Sequence, residues 1–364
     1  MMTHKFSKII LVTILSFLLS CSNNTSTSST LKANENTALN EDLATIEGTE
    51  LNYEVNPSDL ITEIGMSEDT ATNTDSIIAQ VNPERAILVE LYNANPNNTL
   101  GWDINSTDIE NWTGVTVTNG HINELELSKK NLTSLPKSIG NLTELEELLL
   151  SKNKLKILPE SIGNLTKLNE IGLGSNELTA LPESIGKLTN LSQLELESNQ
   201  LTTLPKSIGN LTIKFLNLRN NQFTTFPESI SDLTELKGLY LDKNKLSTIP
   251  EWIGNLTNLS RLGLESNQLT ALPESFTDLI ELKGLYLDKN KLSTIPEWIG
   301  SLTKLNSLKL GSNQLSTLPK SIKNLKKLKE LNLRGNQITT LPESICTFIS
   351  KRTFKEIDDN VLCP

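Results

Sequence analysis

From Ile122 onward the chain repeats a single pattern. Its best-formed unit reads Leu145-x-x-Leu148-x-Leu150-x-x-Asn153-x-Leu155-x-x-Leu158-Pro159, followed by Ile162-Gly163 and Leu165. The asparagine returns at 176, 199, 221, 244, 267, 290, 313 and 336, in steps of 23 residues except for 22 between 199 and 221. Lys130 holds that slot in the first unit, with Asn131 beside it. A fixed period of this length points to an array of stacked units, not to separate globular domains. Leu-x-Leu is a period-two strand with both leucines on one side. A lone strand of this kind cannot bury its apolar face, but ten in parallel form a continuous aliphatic core. The asparagine stands where the chain leaves the strand, so its amide can satisfy backbone groups opened by the turn. The proline fixes φ, and Glu-Ser-Ile-Gly suits a short helical or 3₁₀ segment on the outer side. The 22-residue step falls in Leu211-Thr-Ile-Lys-Phe215, where one turn must adjust.

These residues resemble the leucine-rich-repeat family over residues 122–350. The resemblance implies an α/β repeat fold, a solenoid with a concave parallel β-sheet and short helical or 3₁₀ outer segments. Aromatic residues make up only 4% of the chain, as a leucine-built core requires. Ile87 through Trp102 and Trp112-Thr-Gly-Val115 look like the N-terminal cap of such proteins, without the cysteines some of them carry. Within residues 82–121, Asn82-Pro83-Glu84 reads as a helix start, and Asn119-Gly120 reads as a hairpin turn.

The N-terminus reads as an address. Lys5 and Lys8 precede an apolar run from Ile9 to Leu19, too short to cross a hydrocarbon core of about 30 Å comfortably. Leu18-Leu19-Ser20-Cys21 is similar to a bacterial lipoprotein signal. That resemblance implies cleavage of residues 1–20 and lipidation of Cys21; an ordinary secretory signal with an incidental Cys21 is the other reading. Residues 21–81 read as a flexible tether. The charge is uneven: residues 22–110 hold 16 acidic and two basic residues, net −14, whereas residues 111–364 hold 27 acidic and 29 basic, net +2. The acidity therefore belongs to the N-terminal third, as a self-repelling spacer would have it. A net charge of −10 over the whole chain also argues against a nucleic-acid partner.

Catalytic chemistry finds little footing. Once residues 1–20 are removed His121 is the only histidine, and no Gly-rich phosphate loop or His-Glu metal motif accompanies it. Asp358-Asp359-Asn360 is too short for a calcium loop. Neither a catalytic residue, a metal nor a cofactor is expected. Cys346 and Cys363 bracket a C-terminal cap at residues 351–364, and in an exported chain a structural disulfide is their natural use, against two buried free thiols.

Function then falls to the residues flanking the strand leucines. Near the centre these are Phe215, Arg219, Tyr240, Asp242, Arg261, Glu265, Tyr286 and Asp288, with Glu124, Glu126, Glu147 and Glu170 on earlier rungs. Tyrosine and arginine are frequent binding hot spots, and Gly263 should leave a shallow floor between Tyr240 and Tyr286. A duplication complicates this pairing, because Glu235–Gly254 and Glu281–Gly300 are identical over twenty residues, 46 apart. It copies the tyrosines with or without selection for a site, and it copies Trp252 and Trp298 as a rival aromatic patch. The expected function is a non-enzymatic, lipid-anchored protein of the bacterial cell envelope that binds a protein or peptide on its concave face. The alternative is an envelope structural or adhesive protein acting through length and multivalency.

Overall fold

The computed structural model describes residues 82–351 and 354–363. They fall within one of two compact units, residues 67–364. The other unit, residues 1–66, lies outside the described residues, as do the signal, Cys21 and the tether expected over residues 1–81.

One twelve-stranded sheet runs in strict chain order. Strands β1 (Val115–Thr118) and β2 (His121–Glu126) form an antiparallel hairpin across Asn119-Gly120, both at positive φ. From β2 onward every neighbouring pair is parallel, through β3 (Glu147–Leu149), β4 (Glu170–Gly172), β5 (Gln193–Glu195), β6 (Phe215–Asn217), β7 (Gly238–Tyr240), β8 (Arg261–Gly263), β9 (Gly284–Tyr286), β10 (Ser307–Lys309), β11 (Glu330–Asn332) and β12 (Phe354–Glu356). β2 to β11 are the ten expected rungs. The leucines at the strand centres, from Leu125 and Leu148 to Leu308, are fully buried.

The asparagines form a continuous ladder through the interior. Asn244 donates to its own repeat at Leu241 O (2.9 Å) and to the preceding repeat at Leu218 O (3.0 Å), while its Oδ1 accepts from Phe223 N at 3.1 Å. The same three-way bridge recurs from Asn153 to Asn336. In the first rung, where lysine replaces asparagine, the Lys130 backbone N–H donates to Asn153 Oδ1 instead. The residue before each asparagine turns the chain at left-handed φ, as at Lys152 (60°), Lys243 (55°) and Lys289 (56°).

On the outer side, 3₁₀ turns such as Glu160–Asn164 and Glu183–Lys187 follow the prolines. The glycine of Ile-Gly is set by close stacking, since a Cβ on Gly163 would lie 2.4 Å from the carbonyl oxygen of Ser184 in the next repeat. Outer carboxylates link the turns: Glu297 accepts from Lys320 N (3.0 Å) and Ser321 N (2.9 Å), bonds that hold its carboxyl below the usual carboxylate range. The short repeat adjusts where expected. Leu211 leaves its turn extended, at ψ 153°, whereas its equivalents lie near 54–67°.

Both ends of the leucine core are covered. At the start, helix α1 (Arg85–Asn93) buries Leu88 and Leu91. Asn82 Oδ1 accepts from Glu84 N, and Glu84 reaches back to Ile122 N at 2.6 Å and to His121 Nδ1 at 3.1 Å. His121 is thereby placed in a structural contact. Trp102 stacks on Trp112 at 4.9 Å. At the other end, the last outer segment is an α-helix, α2 (Glu343–Ser350), burying Ile345, Phe348 and Ile349. The closing layer therefore begins inside the tenth repeat. β12 then adds one more parallel strand, and Cys346 is joined to Cys363 with Cα atoms 5.7 Å apart.

Candidate functional site

The strand pairing arranges the outward side chains in columns. Phe215, Gly238, Arg261 and Gly284 are partners in one, and Asn217, Tyr240, Gly263 and Tyr286 in the next. Arg219, Asp242, Glu265 and Asp288 follow two residues on. The eight candidate residues therefore fall on four consecutive rungs, β6 to β9, four within the strands and four two residues past their ends.

The strongest cluster centres on Arg219. Its Nε lies 2.6 Å from Asp242 Oδ2, and its guanidinium carbon sits 4.1 Å from the centre of the Tyr240 ring. Asp242 is buried, and its Oδ1 accepts from Glu265 N at 2.9 Å. A carboxylate this enclosed needs both contacts, and they hold the arginine flat against the tyrosine.

The expected floor at Gly263 is not open. A Cβ there would lie 2.5 Å from Asp242 Oδ2, so the carboxylate leans across the glycine into the space between the tyrosines. Gly238 is covered likewise by the Phe215 ring, which nevertheless leaves Phe215 38% exposed. Arg261, exposed between Gly238 and Gly284, enters no ion pair among the described residues.

Two rungs on, Asp288 shares with Asp242 the hydrogen bond from the backbone of the next rung but not the arginine partner. Its Oδ1 accepts from Gly311 N at 2.6 Å and from Asn332 Nδ2 at 2.9 Å. Burial raises its pKa to about 6; the Gly311 hydrogen bond and Lys309 oppose that shift, while Glu265 and Glu356 add to it.

Toward the N-terminal rungs the face turns acidic. Glu124, Glu147 and Glu170 are directly paired across three strands. Desolvation, then repulsion from Glu170, Glu124 and Glu126, raises the Glu147 pKa. Sequence reasoning passed over Glu195 and Glu197, which share Asn217 Nδ2 at 2.8 and 3.2 Å. Burial, with Glu195 nearby, pushes Glu197 up. Their positions beside Leu194 and Leu196 were the available signal.

Trp252 and Trp298 do not form a free aromatic patch. Each is partly buried against the core, edge-on to Phe226 at 6.0 Å and to Phe276 at 5.6 Å. A shallow cleft of about 160 Å³ lies between Lys309, Glu330, Asn332 and Glu356. Among the described residues, no group of histidine, cysteine or carboxylate side chains is placed to hold a metal ion.

Comparison with protein families matches a leucine-rich repeat region at residues 118–196 and 228–315. A second leucine-rich-repeat description matches 190–211, 212–233 and 327–348. Comparison with curated proteins returns no match. Among solved structures, a leucine-rich-repeat protein of Leptospira interrogans is 37% identical over 65% of this chain and 68% of that one, with a TM-score of 0.57. The ectodomain of an Arabidopsis thaliana membrane receptor kinase, in complex with Casparian strip integrity factor 2, is 31% identical over 73% of this chain, with a TM-score of 0.65. The Arabidopsis receptor kinase HAESA, in complex with the peptide hormone IDA and the co-receptor SERK1, is 26% identical over 74% of this chain, with a TM-score of 0.62. The chain spans only 34% and 52% of those two plant proteins.

Proposed function

The chain belongs to the leucine-rich-repeat family, and from that premise we propose that it is a non-enzymatic binding protein of the bacterial cell envelope, lipid-anchored through Cys21, that holds a protein or peptide across its sheet face. Family and fold are typically those of an interaction scaffold. The observation that carries the reading is the central cluster, where Tyr240, Arg219 and Asp242 are fixed against one another. Fixed aromatic and arginine side chains bind at a low cost in conformational entropy. Exposed Phe215 and partly exposed Tyr286 extend the same surface. The plant relatives solved with peptide or protein ligands support a ligand of that class.

In this proposal residues 1–20 direct export, the lipid on Cys21 is the only membrane contact, and the acidic segment at 21–81 spaces the repeats from the bilayer. Nucleic acid is not a partner. Tyr240→Ala with Tyr286→Ala should weaken binding of a partner captured from intact cells by at least about tenfold. Unchanged affinity would defeat the central site. Loss of adhesion only when whole repeats are deleted would favour the structural or adhesive role. Cys21→Ser should move the chain from the detergent phase to the aqueous phase, and labelling intact cells with a membrane-impermeant reagent shows which side it faces.

A further inference from the structure

The twenty-residue duplication places two copies of Tyr-x-Asp on the sheet face, Tyr240 with Asp242 and Tyr286 with Asp288. Their surroundings share two contacts, although Asp288 Oδ1 also accepts from Asn332 Nδ2 at 2.9 Å, a bond that Asp242 lacks. Each aspartate sends Oδ1 to the backbone N–H one rung on, from Glu265 to Asp242 at 2.9 Å and from Gly311 to Asp288 at 2.6 Å. Each tyrosine leans over the glycine two residues before it, Gly238 or Gly284. The copies differ one rung later, where Gly263 and Glu265 become Lys309 and Gly311, and above all one rung earlier. In the first, Arg219 supplies a guanidinium that stacks on Tyr240 and pairs with Asp242 Oδ2. In the second, the equivalent position 46 residues on is Glu265, and no hydrogen bond reaches Asp288 Oδ2 among the described residues.

We propose that Tyr286, Asp288 and Glu265 form an open seat for an arginine side chain of the bound protein or peptide, the seat that Arg219 fills from within the chain in the first copy. An aromatic face and a carboxylate edge are what a guanidinium stacks on and pairs with. The internal Arg219 shows that this backbone geometry accepts one. Asp288 is 8% exposed, and desolvation penalises its charged form, so a cation supplied from outside relieves a cost that Arg219 relieves for Asp242.

Two lysines stand near without filling the seat. Lys289 Nζ is 3.5 Å from Glu265 Oε1 in an exposed pair, the kind of contact that contributes little and yields to a two-pronged guanidinium. Lys309, where the first copy has Gly263, influences Asp288 electrostatically but forms no ion pair among the described residues.

The inference rests on the sheet-face reading above, and its test is kept separate by using a single residue as the probe. Equilibrium dialysis of the full chain in detergent against N-acetyl-arginine methylamide should find one saturable site, at least about tenfold weaker for the citrulline analogue. Glu265→Arg should supply the internal cation and reduce the count to zero, whereas Arg219→Glu should open the first copy and raise it to two. Thermal melts confirm that each variant is folded. Equal binding of citrulline, no saturable site, or a count unchanged in either folded variant would overturn the proposal. Those results leave partner binding by the tyrosine variants as an independent readout of the sheet-face reading.

Discussion

Asp288 carries a cost that can be measured. Its pKa rises from 3.8 to about 6 on folding, so between those values the folded chain holds a proton that the unfolded chain has released. Stability therefore falls as pH rises through that window, and the penalty is fully present above pH 6. Asp288→Asn keeps an acceptor for Gly311 N and Asn332 Nδ2 while removing the charge. It should stabilise the chain by about 2 kcal/mol at pH 8 and by almost nothing near pH 3, as read by chemical denaturation at both pH values. A wild-type advantage at pH 8 would contradict the account. The period was enough to place Asp242 and Arg219 on neighbouring rungs, because they stand 23 apart. It was not enough to show that Asp242 leans over Gly263. That lean follows from the Glu265 N–H and the Arg219 guanidinium pulling on opposite oxygens of one carboxylate, a three-dimensional balance that leaves no periodic trace.

Among the elements, the asparagine ladder and the closing layer make separate claims. Asn244→Ala would leave Phe223 N without its acceptor inside the core and take one of two amide donors from Leu218 O and from Leu241 O, which keep Asn221 and Asn267. A loss of about 2–4 kcal/mol in denaturant stability is expected; a loss below about 0.5 kcal/mol, the scale of a neutral surface change, would show that the ladder is not structural. The disulfide closes a separation of 17 residues, for which cross-linking contributes about 3 kcal/mol. Reduction should release hydrogen-exchange protection in α2 and β12 and leave β3 to β8 unchanged, because each repeat depends chiefly on its neighbours. Mass mapping without reductant provides a direct check, since two free thiols at Cys346 and Cys363 would remove the bridge. The rungs, the Asn119-Gly120 hairpin and the adjusted turn near Leu211 were legible because each has a local cause in spacing or turn chemistry. The α-helical form of the last outer segment was not. Glu343-Ser-Ile resembles the earlier outer segments, and only the burial of Phe348 and Ile349 at the open end distinguishes it.

Across the whole molecule, length is set by repeat count, and charge divides between an acidic N-terminal third and a nearly neutral repeat body. The sheet presents one continuous surface, acidic at Glu124, Glu147 and Glu170, aromatic and paired at its centre. Its outer side is built of 3₁₀ turns whose tryptophans pack inward against the core. These two surfaces make opposite claims about where a partner binds. A photoreactive phenylalanine at Tyr286 on the sheet face, and in a second chain at Lys323 on the outer side, compares them in intact cells. The account predicts a cross-linked protein partner from position 286 and none from position 323. Adducts from position 323 alone would place binding on the outer surface and contradict it.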